Sequence, residues 1–104
     1  MKSRILEKMW EIVFVAPSLL RRTRVVNGET VVEHVRGDCD PPNKKGKTIR
    51  IAKNLPPREE LEVIIHECLH AADWHKDEET WITPVADDIA RVIWKAGWRK
   101  MPAD

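Results

Sequence analysis

The segment that follows Pro56 constrains the fold of this chain more than any other part of the sequence. Proline at the start of a helix and three glutamates among the next five residues are both typical of a helix N-terminus, where the helix dipole favours negative charge. The apolar residues that follow recur at helical spacing and share one broad face: Leu61, Ile64, Ile65, Cys68, Ala71 and Ala72. We therefore predict a helix over about Pro57 to Trp74, with this face against the core.

A second helical pattern follows, over about Glu78 to Ala96. Gly97 comes directly after it, at the position where glycine most often ends a helix. Pro84 interrupts the pattern, because a proline inside a helix removes a hydrogen bond and clashes with the preceding turn. Thr83-Pro84 is also a suitable N-cap and first helical residue, so residues 77 to 83 are either a separate turn or a kinked first section.

Before residue 54 the sequence indicates β-structure. Asn27-Gly28 stands between two pairs of valines and suits the two-residue turn of a hairpin. Residues 37 to 47 are rich in turn formers, which predicts a loop, and residues 2 to 9 are either a short helix or part of the first strand. Runs of β-branched and aromatic residues predict three strands, over Trp10 to Val15, Thr30 to Val35 and Thr48 to Ala52. The expected fold class is α+β, with a small antiparallel sheet of about three strands followed by the two helices.

Length and composition predict a single domain over residues 1 to 104. The chain has 104 residues, of which 42% are apolar and 34% charged, as expected of a globular protein. Its longest apolar run, Ile12 to Ala16, is far shorter than the roughly 20 residues that a membrane span needs. Cys39 and Cys68 are the only cysteines, so we expect a cytoplasmic protein with reduced thiols. A formal net charge of +1 gives no general attraction to nucleic acid.

The predicted first helix carries an HExxH motif, His66-Glu67-Cys68-Leu69-His70. Its two histidines lie one turn apart on the side opposite the apolar face, so both imidazoles can reach one zinc ion at a distance of about 2.0–2.1 Å. Glu67 lies about 100° around the helix from His66, which suits a general base beside the metal rather than a ligand. The alternative is a solvated polar face without metal. The helical context favours the zinc site.

A catalytic zinc usually has three protein ligands, so a third must come from another part of the chain. His75 lies nine residues after the first motif histidine, one short of the spacing in HExxHxxGxxH, and the glycine of that pattern is absent. On a continuous second helix, Glu78 and Glu79 flank the apolar face by about 50° each, whereas Asp87 and Asp88 lie about 130° away. We predict Glu79 as the third ligand, with Glu78, His75 and Asp87 as alternatives.

The residues from Gly37 to Gly97 resemble small bacterial and phage HExxH zinc metallopeptidases. This resemblance covers somewhat over half of the chain. Its shared pattern, LIHExLHAxxW…DEE, falls on Ile65 to Ala71, Trp74 and Asp77 to Glu79. It implies a minimal gluzincin-like core of the zincin type, in which a small antiparallel sheet precedes the motif helix and an acidic residue after the motif completes the zinc site. This favours Glu79, with Glu78 next, although Pro84 departs from the uninterrupted helix of that family.

The expected reaction is hydrolysis of a bond in a peptide or protein substrate. Zinc would lower the pKa of its water to about 7 and polarise the substrate carbonyl, and Glu67 would pass the water's proton to the leaving amine. The family geometry implies that an extended peptide would pair with the strand over Thr48 to Ala52, beside residues 37 to 47. The developing oxyanion needs a further donor, and because the chain has no tyrosine, we expect His75 or Arg50 in this role.

Two other functions are compatible with the sequence. A non-catalytic binding or assembly protein could keep zinc for stability alone, with Cys39 as a fourth ligand, although an intact Glu67 favours turnover. A nucleic-acid-associated protease would depend on two basic clusters, at residues 21 to 24 and 44 to 47, which ordinary solvated charge explains better. The sequence leaves the substrate and the oligomeric state undetermined.

Overall fold

The chain has α+β architecture in the computed structural model, which describes residues 1 to 101. The predicted α+β class is therefore confirmed. The strands are β1 (Lys2–Ile5), β2 (Lys8–Val15), β3 (Arg21–Val26), β4 (Glu29–His34), β5 (Gly37–Cys39) and β6 (Thr48–Ala52). The helices are α1 (Pro57–Ala72) and α2 (Thr83–Lys95). Within the described residues, neither helix is long and apolar enough to cross a membrane.

The predicted three-stranded antiparallel sheet is wrong in both the number and the pairing of its strands. Four strands form one mixed sheet in the order β1-β2-β6-β5, in which β2 and β6 are parallel and the outer pairs are antiparallel. Residues 2 to 9 lie in the β1–β2 hairpin, because Leu6 and Glu7 both have positive φ and reverse the chain. The loop predicted for residues 37 to 47 begins with β5. Strands this short offer too little alternation to be recognised by pattern.

The β3–β4 hairpin forms a separate two-stranded sheet. Asn27 and Gly28 make its turn, as predicted, with φ of 51° and 80°. Every residue of β3 is exposed, so this hairpin gains little stability from burial. It is anchored at its base, where the carbonyl of buried Leu20 accepts a hydrogen bond of 3.0 Å from the amide of Val35. The chain then enters β5 and brings the hairpin base close to α1.

Helix α1 ends at Ala72, two residues before the predicted end. Asp73 already has an extended backbone, and its amide donates the last helical hydrogen bond to the carbonyl of Leu69. Residues 66 to 70 therefore lie inside the helix, within its last two turns. The rigid backbone of this part of α1 sets the relative positions of the motif side chains.

The face of α1 that packs on the sheet overlaps only in part with the predicted one, which contributes Ala71 to the core and Ile64 and Cys68 at its margin. Its buried residues are Glu60, Val63, Glu67 and Ala71. Val63 and Ala71 belong to the main core, together with the sheet residues Trp10, Ile12, Ile49 and Ile51. Much of the predicted apolar face is only half-buried, and Leu61 and Ile64 line a groove shared with Trp94 of α2. The periodicity of the sequence identifies the apolar residues of α1, but it does not show which of them face the sheet and which face α2. Glu67 is on the side that faces the sheet.

The connection between the helices ends in a kinked first section of the second helix, which is one of the two forms predicted for it. Glu78–Ile82 forms a single π-helical turn that leads into α2 without a break, and Pro84 lies in the first turn of α2. Asp77 caps this turn, since its side chain accepts hydrogen bonds from the amide (2.6 Å) and the hydroxyl (2.7 Å) of Thr80. Ile82 is fully buried at the other end of the turn. The turn is thus held at both ends.

Candidate metal centre

His66 and His70 lie one helical turn apart on the side of α1 that faces the base of the β3–β4 hairpin. Their ring centroids are 4.9 Å apart and the rings are inclined by 59°. Each side chain is 18% exposed, so both imidazoles are reachable but largely protected from solvent. Together with Glu67, they form a group whose potential ligand atoms lie within 4.8 Å of one another. Donors this close can share one metal ion.

One carboxylate oxygen of Glu78 lies against both imidazoles. Its Oε1 is 3.1 Å from Nε2 of His66 and 3.6 Å from Nε2 of His70. In a tetrahedral complex with bonds of about 2.0–2.1 Å, neighbouring ligand atoms are about 3.3–3.4 Å apart. Both oxygen–nitrogen distances are therefore close to those expected for ligands of one zinc ion.

Glu78 occupies the place that the sequence pattern predicts for Glu79. Glu79 is the next residue of the π-helical turn and is exposed. His75 and Asp87 also lie away from this place, since exposed His75 lines a different pocket and Asp87 forms ion pairs with arginines of α1 and α2. The prediction of Glu79 assumes a regular α-helix from residue 78, whereas the first turn is π-helical and capped by Asp77, and in this geometry Glu78 lies against the motif histidines. In the sequence the two glutamates are equivalent.

The protonation states of His70 and Glu78 suit metal binding. Burial and the neighbouring His66 lower the pKa of His70, so its imidazole is neutral near pH 7. For Glu78, burial favours the neutral acid, but the hydrogen bond with His66 and the charges of His66 and Arg22 outweigh this effect and lower its pKa. A neutral imidazole and an ionised carboxylate are the forms in which these side chains bind zinc.

Glu67 is the most buried member of the group, with 5% of its surface exposed. Burial, reinforced by the charges of Asp38 and Glu78, raises its pKa to about 8. Its side chain packs over Gly37 of β5, where an added β-carbon would lie 3.2 Å from Cγ of Glu67 and 2.8 Å from Cγ1 of Val63. Glycine at this position therefore allows β5 to approach α1 closely, next to the candidate base.

Two adjoining clefts of about 220 and 230 Å³ open onto the group. Both are lined by Arg22, Val35, Gly37, Glu67 and Glu78. The first cleft extends toward Val63, nearer the start of α1, and is also lined by Arg36. The second extends toward His70, near the end of α1, and is also lined by Trp74, which follows the helix. Together they form a groove that passes over the motif between α1, β5 and the hairpin base. We call this the motif groove.

The free sheet edge at the motif groove is β5, not the strand over Thr48 to Ala52 that was expected to pair with a peptide. That strand is β6, and β2 and β5 occupy its two sides. The amide of Ala52 donates a hydrogen bond of 2.8 Å to the carbonyl of Arg36, and the amide of Asp40 donates one of 3.0 Å to the carbonyl of Thr48. The backbone N–H and C=O groups of the even-numbered residues from 36 to 40 therefore face β6. By the alternation of an antiparallel ladder, the backbone groups of Gly37 and Cys39 point outward.

Arg22 is a basic side chain beside the candidate ligands that sequence reasoning did not single out. It lines both clefts, and its guanidinium lies 3.6 Å from Oε2 of Glu78. The expected donors for an oxyanion lie elsewhere: Arg50 is held by Asp38 and Asp40 at 2.6 Å each, and His75 lines another pocket. In the sequence, Arg22 is marked only as one of several neighbouring basic residues. Such a cluster does not predict that the hairpin base packs beside the motif histidines.

Cys39 lines the second cleft but lies outside the ligand group formed by residues 66, 67 and 70. Its thiol donates a hydrogen bond of 3.4 Å to the carbonyl of Asp40. Burial, together with the charge of Glu67, raises the pKa of the Cys39 thiol to about 12. Cys39 thus lines the cleft beside the candidate ligands without forming part of their group.

Comparisons with protein-family models, with curated proteins and with solved structures find no match for this chain. Its function is therefore inferred from the geometry of the motif groove and from the chemistry of its side chains.

Proposed function

We propose that this protein is a zinc-dependent metallopeptidase of minimal zincin type. The observation that carries this proposal is the position of Glu78, whose Oε1 lies within 3.1 and 3.6 Å of the two motif imidazoles. Two imidazoles and one carboxylate are a familiar ligand set of catalytic zinc, which keeps its remaining position free. In this proposal His66, His70 and Glu78 hold the metal.

A zinc ion held there would acidify a water molecule and polarise a substrate carbonyl. The positive charge of zinc would lower the pKa of Glu67 from about 8, so that its ionised carboxylate can act as the general base, accepting the proton of the attacking water and donating it to the leaving amine. Its place next to His66 on α1 keeps it beside the ligands, and its packing against Gly37 restricts its rotation. Positioning of this kind favours proton transfer because the reacting groups are already aligned.

The outward-facing edge of β5 offers a binding site for the substrate backbone. Gly37 and Cys39 have backbone groups that do not pair with β6, and Gly37 lines both clefts of the motif groove. An extended peptide that adds to this edge as a further strand would run past Glu67. Backbone pairing gives affinity without dependence on side chains, so it suits a polypeptide substrate.

Arg22 supplies the positive charge that the oxyanion needs. It lies beside Glu78 and is held at the groove by a hydrogen bond of 3.1 Å to Glu33 on the paired strand. A guanidinium fixed in this way is ready to stabilise negative charge as it develops on the substrate oxygen. In this chain, which has no tyrosine, Arg22 takes the role that the sequence alone suggests for Arg50 or His75.

Zinc content is the first test, measured by elemental analysis of untagged protein purified without chelator. We expect about one zinc per chain in the wild type and in His75→Ala, and none in His66→Ala, because His66 is a proposed ligand and His75 is not. The His75 variant controls for the loss of any histidine. A wild type without zinc, even after incubation with excess metal, would contradict the proposal.

Turnover is tested with the zinc-loaded wild type and Glu67→Gln on a mixture of unstructured peptides, with new N-termini detected by mass spectrometry. Cleavage by the wild type and retained zinc without cleavage in Glu67→Gln would support the peptidase. Full zinc content without cleavage in either protein would favour a zinc-stabilised binding protein instead.

A further inference from the structure

Arginines stand on both sides of the proposed reaction centre in the motif groove. Arg36 lines the cleft that extends toward Val63, and Arg21 lines the cleft that extends toward Trp74. Both residues border the groove through which a peptide would pass if it paired with β5. A bound chain would therefore meet one arginine before the proposed scissile bond and one after it.

The acidic side chains of the groove do not neutralise these two arginines. Asp38 is paired with Arg50, and Glu78 contacts the motif histidines and Arg22. Among the residues that the structure describes, Arg21 forms no ion pair, which leaves its guanidinium available.

Arg36 is the second available cation. It pairs with Glu59 at 2.7 Å, and half of the arginine side chain is exposed. Exposed ion pairs contribute little to stability, so a substrate carboxylate can replace Glu59 at little cost. Arg21 is expected to matter more than Arg36, because it has no such pair to give up.

We propose that the motif groove selects acidic peptides, with aspartate or glutamate on the sides of the scissile bond that face Arg21 and Arg36. This inference rests on the proposed peptidase function and names its substrate class. The planar guanidinium of arginine binds a carboxylate through two parallel hydrogen bonds, which gives direction as well as attraction. A lysine in the same substrate position would meet a like charge, so it would be disfavoured.

A peptide fits this groove better than a nucleic acid. On the hairpin, Glu33 pairs with both Arg22 and Arg24, which leaves less positive charge for a run of phosphates. The chain has a formal net charge of only +1, which gives no extended phosphate-binding surface. Discrete arginines at the ends of a short cleft match isolated carboxylates.

The test measures binding of fluorescein-labelled eight-residue peptides to zinc-loaded Glu67→Gln protein by fluorescence anisotropy, so that affinity is read without turnover. Three peptides differ only at the two positions that flank the central bond, which carry glutamate, glutamine or lysine. We expect the glutamate peptide to bind about tenfold more tightly than the glutamine peptide, and the lysine peptide to bind most weakly. Arg21→Glu should reverse the order of the glutamate and lysine peptides.

Arg4→Glu is the matched control, because it changes the net charge equally. Arg4 is exposed on β1, which β2 and β6 separate from β5 in the sheet. The control should keep the preference for glutamate, and circular dichroism should show that both variants are folded. An effect of Arg4→Glu equal to that of Arg21→Glu would show only a general response to net charge and would overturn the inference.

Two further outcomes separate this inference from the proposed function. Cleavage by the wild type with equal affinity for the glutamate and lysine peptides would overturn the acidic preference and leave the peptidase standing. Absence of binding and cleavage for every peptide in zinc-loaded protein would overturn the peptidase itself. Tighter binding of a single-stranded oligonucleotide than of any peptide, with a steep dependence on salt, would replace the acidic peptide by a nucleic acid.

Discussion

Oε1 of Glu78 lies 3.1 Å from Nε2 of His66, which joins a glutamate between the helices to the first histidine of the HExxH motif. The contact spans 12 residues of sequence, and the same oxygen also approaches His70 at 3.6 Å. This contact with the histidines is made by Glu78, whereas the neighbouring Glu79 is exposed. The identity of the third ligand is therefore a direct experimental question.

Glu78→Gln is expected to weaken zinc binding by more than about tenfold, because the variant replaces a charged ligand by a neutral amide. Glu79→Gln is the matched control and should leave the affinity nearly unchanged. Competition with a chromogenic chelator measures both affinities. Equal loss in the two variants, or loss in Glu79→Gln alone, would contradict the assignment of Glu78.

Asp77→Ala is expected to destabilise the protein, since it removes the side-chain cap of the turn that begins at Glu78. Zinc affinity should fall as well, because the cap holds the backbone at Glu78, whose carboxylate is the proposed ligand. Asp88→Ala, an exposed acid of α2, controls for the loss of a negative charge. Urea unfolding and chelator competition measure the two effects. Unchanged zinc affinity in Asp77→Ala would show that the cap does not position Glu78.

Gly37→Ala is expected to cost about 1–3 kcal/mol of unfolding free energy, because its β-carbon would lie only 2.8 Å from Cγ1 of Val63. Peptide cleavage should fall further than zinc binding, since the same β-carbon would press on Glu67 but not on the histidines.

The double variant Gly37→Ala/Val63→Ala tests the cause, because the second substitution makes room for the added methyl group. Its loss of unfolding free energy should be smaller than the sum of the two single losses. Strict additivity in denaturant unfolding would show that the two side chains do not compete for the same space.

Arg22→Gln is expected to lower kcat about 10²- to 10³-fold while changing KM little, as for the loss of an oxyanion donor. Arg24→Gln is the matched control, because Arg24 also pairs with Glu33 but does not line the motif groove. Steady-state kinetics on a cleaved peptide measure both variants. A rise in KM with unchanged kcat would assign Arg22 to substrate binding instead.

The free energy of unfolding should depend on pH through the carboxyl of Asp40, which directly follows the edge strand β5 and is 5% exposed. Burial opposes its ionisation, but hydrogen bonds from Arg50 and from the amide of Thr48 outweigh this and lower the pKa of Asp40. A carboxyl whose pKa is lower in the folded state contributes stability that is present above its unfolded pKa of about 3.9 and is lost as the pH falls further.

Asp40→Asn should therefore be less stable than the wild type near pH 7, with a difference that shrinks below about pH 4. Thermal unfolding between pH 7 and pH 2.5 measures it, with Asp88→Asn as an exposed control. A difference that stays constant across this range would show that the ionised carboxylate does not stabilise the fold.

The sequence by itself determined the features that depend on near neighbours. Asn27-Gly28 specifies its turn through the backbone preferences of two residues, and the spacing of His66 and His70 follows from the geometry of one helix. The proline-led, acidic start of α1 likewise acts within a single helical turn. These signals are local, so they could be recognised without knowing what packs against them.

Only the tertiary structure decided which separate segments meet. Glu78 and Glu79 have the same side chain, and the capped turn between the helices determines which of them reaches the histidines. The position of Arg22 and the free edge at Gly37 depend on how the hairpin base and β5 pack beside α1. Such contacts arise from the packing and pairing of segments that are distant in sequence. Helical or strand periodicity predicts which side of an element is apolar, but not which other segment packs against that side.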